Sequence, residues 1–428
     1  MTPRWNPAKR WALPAFFLTI LIPAAAWCAD TAPAIDSGDT AWLLSSAGLV
    51  LLMTPGLAFF YGGLVRKKNM LSILMQCFMA MCLVTVQWFL VGYSLAFGPD
   101  VGHVIGNLSW AFLKGVGGEP NADYAATVPH LAFMAFQLKF AIITPALIIG
   151  AFAERMKFSA FCIFTLLWVT VVYTPVAHWV WGVGGFLREM GALDFAGGAV
   201  VHINAGMAAL AAALVLGKRV GKSSPPHSLP MAILGAGMLW FGWFGFNAGS
   251  ALAANGTATL AFVTTHIATA VAGLTWSLLD WSYHKKPTTL GMITGAVAGL
   301  VAITPGAGFV SPTGAFFIGL GSAAICFISV TFVKTKFGYD DTLDAFGVHG
   351  VGGIWGSIAT GIWCMNGAPD QLLIQLKATA VVMVFSFVVS FALLKLVDLV
   401  IGLRVTEHDE RIGLDLTQHK EAAYTLLD

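Results

Sequence analysis

The chain has 428 residues, 57% of them apolar and only 10% charged, with a mean hydropathy of +0.79 and a net charge of +2. Soluble domains carry about 25% charged residues, so most of this chain is solvated by lipid. The small charge, spread without a basic tract, excludes nucleic acid as a partner.

Residues 1–29 read as a secretory signal peptide. Arg4, Lys9 and Arg10 precede an apolar stretch over 11–26, and Ala24 and Ala26 supply small residues for cleavage; a cut after Ala29 also fits. An uncleaved first span is the alternative, although the stretch is short of a full crossing.

Eleven apolar stretches follow, at 40–63, 70–97, 129–152, 158–178, 194–217, 229–250, 257–283, 289–307, 313–334, 343–364 and 373–403. Each suits a hydrocarbon core of about 30 Å. The expected fold is an all-α integral membrane protein, with a membrane domain over 30–404 and a tail over 405–428. Alternate loops hold Arg66, Lys67, Lys68, Arg155, Lys157, Lys218, Arg219, Lys222, Lys285, Lys286, Lys334 and Lys336, and the tail adds Arg404, Arg411 and Lys420. The other loops hold only Lys114 and Arg188. The positive-inside rule then puts the mature N-terminus outside and the tail in the cytoplasm.

Cys28 lies in the signal region, and Cys77, Cys82, Cys162, Cys326 and Cys364 fall in apolar stretches. No CxxC occurs, so buried thiols are expected rather than disulfides or a zinc site.

The fifth stretch begins LDFAGGAVVHINAG and the tenth LDAFGVHGVGG. Each opens on Leu-Asp with a His soon after, which pairs Asp194 with Asp344 and His202 with His349. Five spans per half is odd, so the halves have opposite topology, with a substrate path expected at their interface. This gives a five-plus-five inverted repeat with one extra C-terminal helix. The Asp residues are expected to cap helix starts. His202 is about 12 Å further along its helix, and His349 about 7–8 Å along its own. Ionisable groups at such depth usually line a path.

Rings gather toward the outer ends. Phe136 and Phe140 share a face at i, i+4, Trp181 follows the fourth span, and WFGFNAGS supplies Trp243, Phe246 and Ser250. Rings with one hydroxyl suit a small cation. They equally suit an interfacial aromatic belt, and spacing alone does not choose. No Walker, G-x-S-x-G or H-E-x-x-H motif is present. No nucleophile–base set or metal-ligand set points to an enzyme, a metal or a cofactor.

The motifs GALDFAGGAVVHINAG, GWFGFNAGS, FGVHGVGG, GAFAERMKFSA and GLRVTEHDERIGLDLTQHKEAAY together resemble the ammonium transporter (Amt/Mep/Rh) family, on its bacterial, AmtB-like side. The likeness covers essentially the whole mature chain. It implies a homotrimer in the inner membrane, with one pore per subunit. It implies an outer recruitment site at Phe140, Trp181 and Ser250. A phenylalanine gate would be formed by Phe140 and Phe246 beside Phe136, with a conducting pair at His202 and His349. Asp194 would be the acid near the recruitment site. A PII-type signal protein is the implied partner at the cytoplasmic face. Lys139 adjoins Phe140, and a one-residue step of about 100° turns it off the Phe140 face.

Physical chemistry supplies a mechanism for that family. Burying bare ammonium costs several kcal/mol, and desolvation lowers the pKa of such a cation. Losing the proton at the gate and passing ammonia along two hydrogen-bonding imidazoles avoids much of that cost. The rival readings are a neutral-gas channel and an ammonium sensor. For a sensor, about 25 residues after the last span are too few for an output domain of its own.

Overall fold

The computed structural model describes residues 35–221 and 225–424. The expected signal peptide and Cys28 lie outside the described residues. In hydrocarbon, backbone N–H and C=O groups must pair within their own segment, and the apolar stretches duly form helices. In chain order they are α1 Ser37–Leu64, α2 Lys67–Phe97, α3 His130–Phe152, α4 Phe158–Glu189, α5 Gly198–Leu216, α6 Leu229–Gly249, α7 Gly256–His284, α8 Thr289–Ile303 and α9 Pro312–Phe337. A π-turn at Phe346–Gly350 runs into Val351–Trp363 as α10. Then come α11 Gln371–Ile401 and two short tail helices, α12 Glu407–Ile412 and α13 Leu414–His419.

Among the described residues, nine helices are long and apolar enough to cross a membrane: all of α1 to α11 except α8 and α10. The eighth and tenth expected spans are shorter, with α8 only 15 residues long.

Polar side chains start several helices where the sequence has Asp, Asn, Ser or Thr before an apolar run. The Asp36 carboxylate accepts from Asp39 N–H at 2.8 Å, and Asn255 accepts from Thr257 and Ala258 at 2.9 and 3.1 Å. Between α2 and α3 the chain leaves the helical layer for two antiparallel ribbons, Asp100–Val101 with Ile105–Gly106 and Pro120–Asn121 with Ala125–Pro129.

The two halves meet along α1 against α6 and α5 against α10, while α11 lies across α4, α5 and α10. Small residues permit this closeness. A Cβ at Gly235 of α6 would collide with the Phe60 backbone of α1. Polar pairs tie α11 down: Ser386 donates to Asn204 Oδ1 at 2.7 Å, and Trp168 Nε1 donates to Ser390 at 2.9 Å.

The face carrying most lysines and arginines is closed by ion pairs. Glu154 accepts from Arg66 (2.9 Å), Asn69 (2.8 Å) and Arg219 (3.0 Å), and Arg219 also binds Asp340 at 3.0 Å. Arg155 is fully buried and donates to Ala151 O and Asp340 O. The tail folds onto this basic face. Asn69 Oδ1 accepts from Leu414 N–H, and Asp415 accepts from Ser72 N–H, both at 2.8 Å. Glu410, itself buried, bonds Arg404 at 2.8 Å.

The five cysteines among the described residues are free, but the expectation that all are buried fails for Cys82. It lies exposed on the flank of α2, while Cys162 and Cys364 are half-buried. A thiol is small and weakly polar, so a lipid-facing position carries little penalty.

Candidate functional site: a path through the membrane helices

A path starts on the face opposite the basic one, in a vestibule of about 200 Å³ bordered by Tyr124, Gln137, Phe140, Trp181, Ser250 and others. The fold thus brings together Phe140, Trp181 and Ser250, the three expected recruitment residues. Trp181 is fixed because its Nε1 donates to Asp194 O at 2.9 Å. Ser250 Oγ donates to Phe246 O at 2.8 Å, as a hydroxyl at a helix end readily does.

The floor of the vestibule is aromatic. Phe140 and Phe246 have ring centroids 4.3 Å apart, and Trp181 meets Phe140 edge-on at 5.8 Å. Phe136 packs edge-on against Phe140 at 4.9 Å but borders neither this vestibule nor the space beyond it.

Past the rings lies a narrow lumen of about 10 Å³, room for the centre of one water-sized molecule. Leu57, Phe60, Ile143, Leu147, Val201, Leu239 and Val297 make it apolar. Its polar side chains are His202, His349 and Trp243. The Trp243 N–H is already bound to Thr304 Oγ1 at 2.9 Å. The rings of His202 and His349 are neighbours with nearly parallel planes, centroids 5.4 Å apart and planes 15° apart. The expected hydrogen bond between them is not formed: neither nitrogen of His202 has a protein partner, nor has Nδ1 of His349. Trp243, grouped by sequence with the outer rings, stacks on His202 at 5.3 Å and 17° instead. Lys139 is half-buried and borders none of the cavities.

Two local devices hold the histidines. Both sit in π-turns, Gly198–Ile203 and Phe346–Gly350. Such turns are rare and often mark functional positions. The helices also cross at glycine: a Cβ at Gly206 of α5 would collide with the Gly350 backbone of α10. A Cβ at Gly353 would stand 3.1 Å from His202 Cβ.

The carboxylate caps differ from expectation at one end. Asp194 accepts four N–H bonds, from Gly197 (3.0 Å), Gly198 (2.5 Å), Ala199 (2.9 Å) and Val200 (3.0 Å). It does not border the vestibule. At α10 the cap is not Asp344. Asp341 accepts from Ala345 at 3.1 Å and Phe346 at 2.8 Å. Asp344 instead pairs with Lys334 at 2.7 Å. The Leu-Asp match misled because Asp344 has left-handed backbone (φ 59°) in the turn before the helix, which aims its carboxylate away. The spacing of eight residues from Asp194 to His202 picks out Asp341 before His349, and this was the signal available in the sequence.

Beyond His349 the path widens to about 500 Å³ at the basic face, bordered by Tyr61, Arg219, Asp280, Lys334, Asp340 and Asp344 among others. Burial alone would raise the Asp340 carboxyl, but the Arg219 guanidinium and backbone N–H outweigh it and hold it below the usual range.

Residues 41–424 match the model of the Ammonium Transporter Family. The chain belongs to the ammonium transporter family. It is 53% identical over 403 residues to an ammonium transporter of Bacillus subtilis, an alignment spanning 91% of this chain and 99% of that one. The crystal structure of Candida albicans Mep2 superposes with a TM-score of 0.84 at 37% identity, covering 92% of this chain and 94% of that one. A solved Sensor Amt Protein gives the same TM-score at 30% identity, covering 89% and 98%. This ammonium transporter is therefore a multi-pass membrane protein, and the cavities above are its candidate path.

Proposed function

We propose that this transporter takes ammonium up into the cytoplasm, shedding the proton at the Phe140–Phe246 pair and passing ammonia along His202 and His349. One observation carries the reading: beyond the tilted Phe140–Phe246 pair the lumen is apolar, apart from nitrogens on two histidines that have no protein partner. Ammonium entering such a space loses its hydration without replacement, which disfavours the charged form. Ammonia both donates and accepts hydrogen bonds, so a neutral imidazole edge serves it. Trp181, Phe140 and Ser250 supply ring faces and a hydroxyl for the cation in the outer vestibule. Asp194 acts by fixing the start of α5 and, through its carbonyl, the Trp181 indole.

The basic face is taken as cytoplasmic, on the strength of the lysine and arginine distribution. This places the protein in the inner membrane with the tail inside. A homotrimer is proposed as well. His266 sits exposed on the flank of α7, about 15 Å from the start of that helix. Beside it, at 5.4 Å, lies Trp240, whose buried Nε1 has no partner. Polar groups at that depth favour protein over lipid as neighbour. The basic loops and folded tail offer a surface for a PII-type protein. A sensing role is the second reading, favoured by the likeness to the Sensor Amt Protein.

The test is methylammonium uptake and current, measured together on purified protein in liposomes. The His202→Ala, His349→Ala double variant should lose flux or selectivity. Wild-type flux and selectivity in that variant would remove the histidines from the path. Uptake without current in the wild type would mean passage of neutral ammonia alone.

A further inference from the structure

Three carboxylates border the basic-face vestibule, and two are already neutralised. Asp340 is held by Arg219 and Asp344 by Lys334. Asp280 is different. It is only 3% exposed, on the α7 wall, and among the described residues no lysine or arginine lies within ion-pair distance. One oxygen, Oδ2, accepts the Thr288 hydroxyl. That hydroxyl in turn accepts the Gly291 N–H at 2.9 Å, so it is fixed as the cap of α8. A Cβ at Gly291 would collide with Asp280 Oδ2, so the glycine lets the carboxylate approach. The second oxygen, Oδ1, has no protein hydrogen bond among the described residues and is open to the cavity.

A carboxylate set into an apolar wall, with no ion-pair partner and one oxygen open to the cavity, favours a cation beside it. The surroundings suit a particular cation. Trp276, Asp280 and His284 follow one another at i, i+4 and i+8 along α7, and all three border the cavity. Thr294 faces them from α8. Its hydroxyl donates to Leu290 O at 2.8 Å, which leaves its oxygen free to accept. The wall therefore offers an indole ring, a carboxylate oxygen and a hydroxyl oxygen. This is the same combination of groups for a small N–H-bearing cation that Trp181 and Ser250 begin at the other mouth.

We propose that Asp280, Trp276 and Thr294 form a second ammonium-binding site, at the basic-face mouth of the path. It holds the cation after passage, and it sets the affinity with which ammonium on that side enters the path in reverse. The site rests on ammonium as cargo and on the basic face being the inner one.

The experiment uses the full-length protein in liposomes of known sidedness, with methylammonium flux driven from one face at a time. Asp280→Asn keeps the shape and the Thr288 bond but removes the charge. It should raise the half-saturating concentration at the basic face about tenfold, the loss of one charge-assisted contact. The value at the opposite face should not move. Trp276→Phe keeps a ring but weakens cation attraction, and should raise the basic-face value about threefold with the same sidedness. It carries the test if the Asp280 variant fails to fold. An unchanged basic-face value, or an equal rise at both faces, overturns the site. Wild-type flux from the opposite face reports on the transport reading independently, so the failure of one is not mistaken for failure of the other.

Discussion

Asp194 and Asp341 stand 147 residues apart, and each places its carboxylate over the start of a π-turn that carries a histidine eight residues further on. Asp194 takes four backbone N–H groups and Asp341 two. A hydrogen bond to a charged group is worth about 1.5–3 kcal/mol. Both Asp→Ala variants should therefore be destabilised, with Asp194→Ala melting several degrees below Asp341→Ala in detergent. Equal melting temperatures would mean the caps do not act through these contacts. Asp344→Ala, which removes only a pair with Lys334, should melt close to wild type.

The Phe140–Phe246 contact predicts a selectivity change. Phe140→Ala opens the floor of the vestibule, and hydrated ions then reach the lumen. Potassium should compete with methylammonium in this variant and not in the wild type. Burial of Phe140 also predicts a stability loss of about 3–5 kcal/mol. A variant that folds and still ignores potassium would show that the rings do not act as the barrier.

The glycine crossing can be tested by bulk. Gly206→Val has no room against the Gly350 backbone and should push α5 from α10, separating the histidines and abolishing flux. Gly48, by contrast, faces open space on α1. Gly48→Ala should be neutral or stabilising by up to about 1 kcal/mol, the helix-propensity difference. Flux through Gly206→Val at the wild-type rate would contradict the need for this close approach.

Acid should loosen the basic face. Burial would raise the Glu154 carboxyl, but the Arg66 guanidinium and backbone and the Asn69 amide outweigh it and hold it below the usual range. A group with a depressed folded pKa stabilises fully above its unfolded value, about 4.3. It loses that contribution as pH falls through the folded value. Glu154→Gln should therefore lower the melting temperature at pH 7, with the gap to wild type closing below about pH 4. A gap that persists unchanged in acid would count against the ion-pair cluster.

The sequence by itself determined the class of this protein. Long apolar runs, alternating basic loops and the motifs around His202, Phe246 and His349 state a helical membrane transporter of the ammonium family, because lipid allows so few ways to satisfy a backbone. The resemblance to that family, not the spacing of the runs, grouped Phe140, Trp181 and Ser250, and the fold brings the three to one vestibule. Tertiary structure alone decided the rest. Pairing by local likeness chose Asp344, yet a carboxylate caps only where the preceding turn aims it, and that turn gives the role to Asp341. Trp243 reads as one ring of an outer group until the packing of α6 turns it onto His202. The imidazoles come together with nearly parallel planes because two π-turns and a glycine crossing fix where their helices meet. Asp280 has no motif around it. Its place beside the path arises only when the Thr288 hydroxyl, fixed by the Gly291 N–H, holds one of its oxygens and leaves the other open to the cavity.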